Sequence, residues 1–109
     1  MAPEQRILEV YKAGKLTVVG FGGEAILDRI NVTQCRDEIA ALIKQHRCEE
    51  LAFDLTGVKL VPSGMLGLLA SLHKQLTVEV HLYNPNRDIR DVLEIMKLDR
   101  ILHVHDLDV

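Results

Sequence analysis

The sequence predicts a single α/β domain built on a mostly parallel β-sheet. Three observations carry that reading. After an opening hairpin, short apolar runs of strand character alternate with stretches of helical periodicity, in the order β-β-α-β-α-β-α-β. The chain has 109 residues, enough for one hydrophobic core and too few for two. Hydrophobic residues make up 48% of it, yet there is no Trp and only two Phe and two Tyr, so the core must be aliphatic.

Each element has its own justification. Ile7 to Lys12 and Leu16 to Phe21 are strand-like runs around Ala13-Gly14-Lys15, a spacing that reads as a β-hairpin. Gly20, Gly22 and Gly23 then loosen the chain, and an unusually long stretch to Asn31 leads into the first helix. That helix starts near Asn31 or Thr33 and runs to His46 or Arg47, with Val32, Cys35, Ile39, Leu42 and Ile43 on one stripe. Leu51 to Leu55 is short and apolar on both faces, as a central strand should be. The second helix follows Pro62 or Ser63 and ends near Gln75. Met65, Leu68, Leu69, Leu72 and Leu76 form its buried stripe, and Gly67 and Ala70 allow close approach of a neighbouring backbone. Ser63 is expected to cap it. Thr77 to Tyr83 alternates Val78, Val80 and Leu82 with Glu79 and His81, a strand with one polar face. Asn84-Pro85 reads as a cap followed by a first helical residue, and Ile89, Val92, Leu93 and Met96 make the apolar stripe of a third helix. Leu102 to Asp106 is a last short strand. No internal repeat, low-complexity segment or linker interrupts the series.

Composition excludes several function classes. Net charge is −3, from 13 basic and 16 acidic residues spread along the chain, so no basic run marks a nucleic-acid or membrane surface. The longest apolar runs fall far short of the ~20 residues of a membrane helix. Met1-Ala2-Pro3-Glu4-Gln5-Arg6 lacks the apolar core of a signal peptide, which makes the cytoplasm the expected location. Cys35 and Cys48 form no CxxC pair and no metal pattern. Cys35 falls on the apolar face of its helix and is expected to be buried; Cys48 is expected as a free, partly covered thiol.

The residues argue against catalysis. His103-Val104-His105 puts two imidazoles on one face of a strand with Asp106 beside them, but a metal site needs three or four converging ligands and none stands at a telling spacing. No metal and no cofactor are expected. Val61-Pro62-Ser63-Gly64-Met65 lacks the flanking glycines of a hydrolase elbow, and no base can be assigned to Ser63. Gly20-Phe21-Gly22-Gly23 fits neither phosphate-binding glycine pattern. More telling is the carboxyl end of the third strand, where ligands and partners meet open α/β sheets. Asp54, Thr56, Lys59 and Ser63 should cluster there, with Asp54 and Thr56 also available to satisfy turn amides.

The chain resembles the STAS domain, the module named for sulfate transporters and anti-sigma-factor antagonists. The likeness covers nearly the whole length. It rests on element order and on Gly23-Glu24-Ala25-Ile26-Leu27-Asp28, the strand and turn Leu51 to Ser63, the helix opening Ser63-Gly64-Met65-Leu66-Gly67-Leu68-Leu69, and Asn84-Pro85 through Val92-Leu93-Glu94-Ile95-Met96-Lys97-Leu98. The family's phosphorylation loop commonly reads Asp-Ser-Ser-Gly-Leu-Gly. Set on this chain, Pro62 takes the Asp place, Ser63 the acceptor serine, Gly64 the second serine and Met65 the first glycine; Leu66 and Gly67 match. Lys97 stands where many members have glycine, and the C-terminal helix of many relatives is not expected within these residues.

The resemblance implies a mixed sheet of four to five strands, its first strand antiparallel, with helices mainly on one face. It also implies a non-catalytic regulatory module of bacterial partner-switching. Such a module binds a serine-kinase anti-sigma factor when unphosphorylated, is released when the kinase modifies the acceptor serine, and is restored by a cognate phosphatase. On this chain the acceptor would be Ser63. The partner surface would comprise Asp28, Asp54, Thr56, Lys59, Pro62, Ser63, Gly64 and Met65. The alternative the family offers is an unphosphorylated scaffold or sensory subunit that binds a protein or a small anionic ligand. A homodimer is left open by the sequence, because an aliphatic helical stripe looks the same in a core and in a homodimer.

Overall fold

The computed structural model describes residues 8–22, 27 and 30–106. In chain order the elements are β1 (Glu9–Lys12), β2 (Leu16–Gly20), α1 (Val32–His46), β3 (Glu50–Asp54), α2 (Ser63–Leu76), β4 (Glu79–Tyr83), α3 (Arg87–Ile95), a 3-10 turn (Leu98–Arg100) and β5 (His103–His105). The predicted α/β class, the hairpin and all three helices are present. Most strand ends recede by one or two residues from their predicted limits.

The sheet has five strands in the order β1-β2-β3-β4-β5. β1 pairs antiparallel with β2, and every later pair is parallel. Three successive crossovers each step one strand in the same direction. Right-handed crossovers that all step the same way put α1, α2 and α3 on the same face of the sheet. The strands show that asymmetry. On β4, Val80 and Leu82 are fully buried under the helices, whereas Glu79, His81 and Tyr83 on the other face are half-buried. Val19, Leu51, Phe53, Val80 and Leu82 form the floor of the core, and Cys35, Ile39, Met65, Leu66, Leu69 and Leu93 close it from the helices. Phe21 and Phe53 stack at 6.2 Å between centroids.

Local chemistry explains the joints. The hairpin closes on Thr17, a buried hydroxyl that donates to the Gly14 carbonyl at 2.9 Å and accepts from its N–H at 3.3 Å. Tyr11 sits at a bulge in β1 and lies over Gly20, where any Cβ would overlap its ring. Asn31 caps α1 as expected, its Oδ1 accepting from Gln34 N–H at 2.9 Å. Arg47 ends that helix in the left-handed region.

Several expectations are corrected. Ser63 is the first helical residue of α2, not its cap. Pro62 takes the cap place with an extended backbone (φ −67°, ψ 149°) and no side-chain cap bond, and its carbonyl accepts from Met65 N–H at 3.0 Å. The third helix begins two residues later than predicted. Asn84 adopts φ +58°, Pro85 is buried, and Asn86 supplies the cap, its Oδ1 accepting from Ile89 N–H at 2.8 Å. An N-cap residue has extended backbone angles, and the left-handed φ of Asn84 disqualifies it. Gly67 is exposed and nothing lies within 4 Å of where its Cβ would be, so it permits no close approach. On α3 only Ile89 and Leu93 reach the core; Val92 and Met96 are exposed. Cys35 is buried as expected. Cys48 is more covered than expected, and its thiol donates to the Glu50 carbonyl at 2.9 Å.

Candidate functional site

Parallel strands β3, β4 and β5 all end at one edge, and the loops leaving that edge carry the candidate residues. The backbone ladder runs on past the strands: Leu55 N–H donates to Tyr83 O and Asn84 N–H to His105 O, each at 2.8 Å. Residues Leu55 to Val58 make a tight turn, with Val58 N–H donating to Leu55 O at 3.0 Å. Its third position is Gly57 at φ +80°, a conformation that favours glycine. Leu55 and Val58 are both buried, so the turn is anchored in the core at two points.

Asp54, half-buried at the end of β3, turns its carboxylate onto the loop. Its Oδ1 accepts from Thr56 N–H at 3.0 Å and from Thr56 Oγ1 at 2.6 Å. Asn84 Nδ2 then donates to Thr56 Oγ1 at 3.0 Å, and Asn86 Nδ2 donates to the Lys59 carbonyl at 3.2 Å. Leu27 N–H donates to Leu60 O at 3.0 Å. The β3–α2 loop is thereby fastened to the β4–α3 loop and to the segment ahead of α1. Asp54 and Thr56 are brought together, and their side chains are engaged in holding the turn. Lys59 is exposed and contributes its carbonyl to the same fastening. Asp28 lies outside the described residues.

Ser63 is exposed at the first position of the 14-residue helix α2. The carbonyl of Pro62 occupies the N–H groups of Met65 and Leu66, and the N–H groups of Ser63 and Gly64 point out of the helix end. No acidic residue stands in this first turn, so the first turn of α2 supplies no carboxylate to the positive end of its dipole. Gly64 is exposed, and a Cβ there would meet only Val32 at 3.9 Å. Met65 follows the helical stripe read from the sequence and not the partner surface that the resemblance implied for its side chain. It is fully buried, its Sδ 3.9 Å from Cys35 Sγ, so only its backbone can face a partner. Among the described residues no carboxylate or imidazole hydrogen-bonds to the Ser63 hydroxyl.

Sequence reasoning missed Asn84 and Asn86 as the fasteners of the loop. The signal was the pair of asparagines flanking Pro85, one of which had to be spare once the other capped the helix. It also missed that Glu50, Glu79 and His81 converge at the opposite end of the sheet.

The model of the STAS domain matches residues 8–107. The chain belongs to the STAS-domain family. Solved structures agree with that membership at the level of fold. The anti-sigma-factor antagonist SpoIIAA in its unphosphorylated form is 21% identical, with a TM-score of 0.76, over 93% of this chain and 86% of that one. The phosphorylated form of SpoIIAA from Bacillus is 18% identical, with a TM-score of 0.67, over 93% and 91%. A STAS-domain anti-sigma-factor antagonist protein from Planctomyces limnophilus is 18% identical, with a TM-score of 0.77, over 96% and 93%. No curated protein sequence matches the chain. The STAS assignment explains the mixed sheet with an antiparallel first strand. No described helix is long and apolar enough to cross a membrane.

Proposed function

We propose that this chain is a non-catalytic binding module of a partner-switching pathway, an anti-sigma-factor antagonist whose switch is Ser63. The observation that carries the reading is the placement of Ser63: an exposed hydroxyl at the start of a long helix, on a loop fastened at both ends, in a STAS domain. The solved relative SpoIIAA occurs in an unphosphorylated and a phosphorylated form, which favours the same chemistry here.

In this reading a serine-kinase anti-sigma factor docks on the edge formed by Asp28, Asp54, Thr56, Lys59, Pro62, Ser63 and Gly64. It then transfers the γ-phosphoryl group of ATP to Ser63 Oγ, and a cognate phosphatase hydrolyses the ester. The phosphate adds about −1.5 to −2 charges and three acceptor oxygens. The unpaired N–H groups and dipole at the start of α2 accommodate that charge, so the domain stays folded. The penalty falls on the interface, where repulsion and desolvation act together. A loss of about 3 kcal/mol, roughly 150-fold in affinity, suffices for a decisive switch.

The test is a pull-down from the native cell with wild type, Ser63→Ala and Ser63→Asp, followed by incubation with the captured kinase and ATP. Wild type and Ser63→Ala should hold a kinase-like partner that Ser63→Asp releases, and intact mass should show one phosphate on wild type only. Equal capture by all three proteins would end the switch reading. Modification of Thr56 or Thr33 with Ser63 untouched would move the site.

Pro62 supports a second reading. It stands in the family's Asp place, removes a carboxylate next to the acceptor and stiffens the approach to it. An unphosphorylated scaffold or sensory subunit, binding a protein or a small anionic ligand at the same helix end, would capture its partner regardless of the Ser63 substitution.

A further inference from the structure

We propose that the amino end of the helix-free sheet face is a transition-metal site of zinc type, with Glu50, Glu79 and His81 as ligands and His103 as the fourth. The sheet itself assembles this set. Glu50 pairs in register with Glu79, and His81 with His103, on adjacent parallel strands. Residues two apart on a strand share a face, so Glu79 and His81 of β4 point the same way as Glu50 of β3 and His103 of β5. The ligand atoms of Glu50, Glu79 and His81 all lie within 4.8 Å of one another.

Three of the separations match a coordination shell, and His103, which stands beside Glu79 outside the mutually close trio, would complete it by turning about its side-chain bonds. Zinc bonds to imidazole nitrogen and carboxylate oxygen at about 2.0–2.1 Å, so adjacent ligand atoms of a tetrahedron stand about 3.3–3.4 Å apart. His81 Nε2 is 3.4 Å from Glu50 Oε1 and 3.3 Å from Glu79 Oε1, and His103 Nε2 is 3.3 Å from the same Glu79 oxygen. His81 Nε2 is buried and makes no hydrogen bond among the described residues, although it faces two carboxylates. Its other nitrogen is engaged: Nδ1 lies 2.8 Å from His105 Nε2. An imidazole that donates from Nδ1 to a neighbour presents the Nε2 lone pair outward, which is how outer partners orient metal-binding histidines.

The rings are held in place by stacking. His81 lies between His103 and His105 at centroid distances of 4.9 and 5.0 Å, and His105 stacks on Tyr83 at 4.8 Å. Strand-borne ligands locked by neighbours need little ordering on binding. The side chains of Glu50, Glu79 and His103 are about half exposed, so an ion can enter from solvent, while His81 at 13% exposure forms the floor. Two imidazoles and two carboxylates suit zinc and its analogues cobalt, nickel and copper better than calcium or magnesium, which take oxygen shells. The inference is independent of the switch at Ser63, which lies past the opposite end of the strands.

The experiment is calorimetric titration of the full metal-free chain with zinc chloride at neutral pH, with cobalt chloride as a spectroscopic probe. One zinc per chain should bind in the micromolar range or tighter, and cobalt should show the visible bands of a four-coordinate ion. Glu50→Gln, Glu79→Gln and His103→Gln should each weaken zinc at least tenfold while circular dichroism stays unchanged. His105→Phe keeps the stack and removes the Nδ1 partner, and should weaken zinc by about tenfold. His46→Gln should bind as wild type does. Zinc should raise the melting temperature of wild type and not of Glu79→Gln, a readout that applies even to a destabilised variant. Absence of saturable binding, or binding undiminished in Glu79→Gln, would overturn the site. So would a His81 resonance that titrates with pH and ignores zinc, which would show a proton bridging the carboxylates instead.

Discussion

Replacing Met65 by alanine tests whether the start of α2 is held from inside. Met65 lies two residues after Ser63, is fully buried and meets Cys35 of α1 through sulfur at 3.9 Å. Burying a methionine side chain stabilises a fold by about 1.5–3 kcal/mol. Truncation to alanine forfeits most of that and leaves a cavity between α1 and α2, for a total loss of about 2–5 kcal/mol. Domains of this kind have about 5–15 kcal/mol to lose, so the variant should fold with a clearly reduced margin. In urea, with a slope of about 1.5 kcal/mol per molar, a loss of about 3 kcal/mol moves the midpoint down by about 2 M. Met65→Leu conserves volume and should cost less than about 1.5 kcal/mol. Equilibrium urea unfolding followed by far-UV circular dichroism gives both values. A Met65→Ala midpoint within the scatter of wild type, at unchanged slope, would place the side chain on the surface and undo the picture of the loop anchored from below. Partner capture by Met65→Leu should equal that of wild type, because only its backbone is presented outward.

Four further outcomes follow from the backbone and the buried thiol. Gly67→Ala, in an exposed helix interior with open space for the new Cβ, should gain about 0.8–1 kcal/mol, read as a melting temperature about 4 °C higher. Lys97 sits at φ +59° beyond α3, so Lys97→Gly relieves roughly 1–2 kcal/mol of left-handed strain against roughly 0.4–1 kcal/mol of extra unfolded-state entropy. A modest net gain in thermal stability is expected. Burial, and secondarily Glu38, pushes the Cys35 thiol up to about 12. The unfolded chain loses that proton near pH 9 while the native chain keeps it, so the stabilisation is complete below pH 9 and is lost as pH rises toward 12. Wild type should lose about 1.4 kcal/mol per pH unit more than Cys35→Ala in that window, by urea titration at stepped pH. In native protein at neutral pH, alkylation of Cys35 should wait for unfolding.

Periodicity made the helices legible, because a stripe such as Cys35, Ile39 and Leu42 repeats at helical and not at strand spacing. Capping was harder. Ser63 and Asn84 both have side chains that cap well, yet the backbone decided otherwise. Pro62 placed its own carbonyl at the cap of α2, and Asn84 turned into the left-handed region instead of the extended one a cap needs, so that Asn86 took over. Such outcomes depend on backbone angles that a propensity cannot set. The resemblance put Met65 on the partner edge while helical spacing put it on the buried stripe; each residue along a helix turns a side chain by about 100°, and the spacing was the better guide. The Glu and His cluster was legible only in half. The alternation of Glu79, His81 and Tyr83 shows one polar face on β4, but their partners come from register with β3 and β5, which strand order alone determines.

The same topology accounts for both ends of the molecule. Parallel strands that add in sequence order send every crossover helix to one face, leaving the other face free to carry polar side chains. They also collect every strand-to-helix loop at one edge, where Ser63 stands, and every helix-to-strand return at the other, where Glu50 and Glu79 begin their strands. From Glu50 to Asp54 is four strand residues, about 13 Å at about 3.3 Å each, and Ser63 lies beyond. That exceeds the screening length of about 8 Å at physiological salt, so a phosphate at one edge exerts little direct field on a cation at the other. Coupling between the two would have to pass mechanically through β3 and β4. Their central residues, Leu51, Ala52, Phe53, Val80 and Leu82, are fully buried, and close packing of that kind is the route by which strain would travel. Under the two proposals one edge meets a protein and the other an ion, with little direct electrostatic coupling between them.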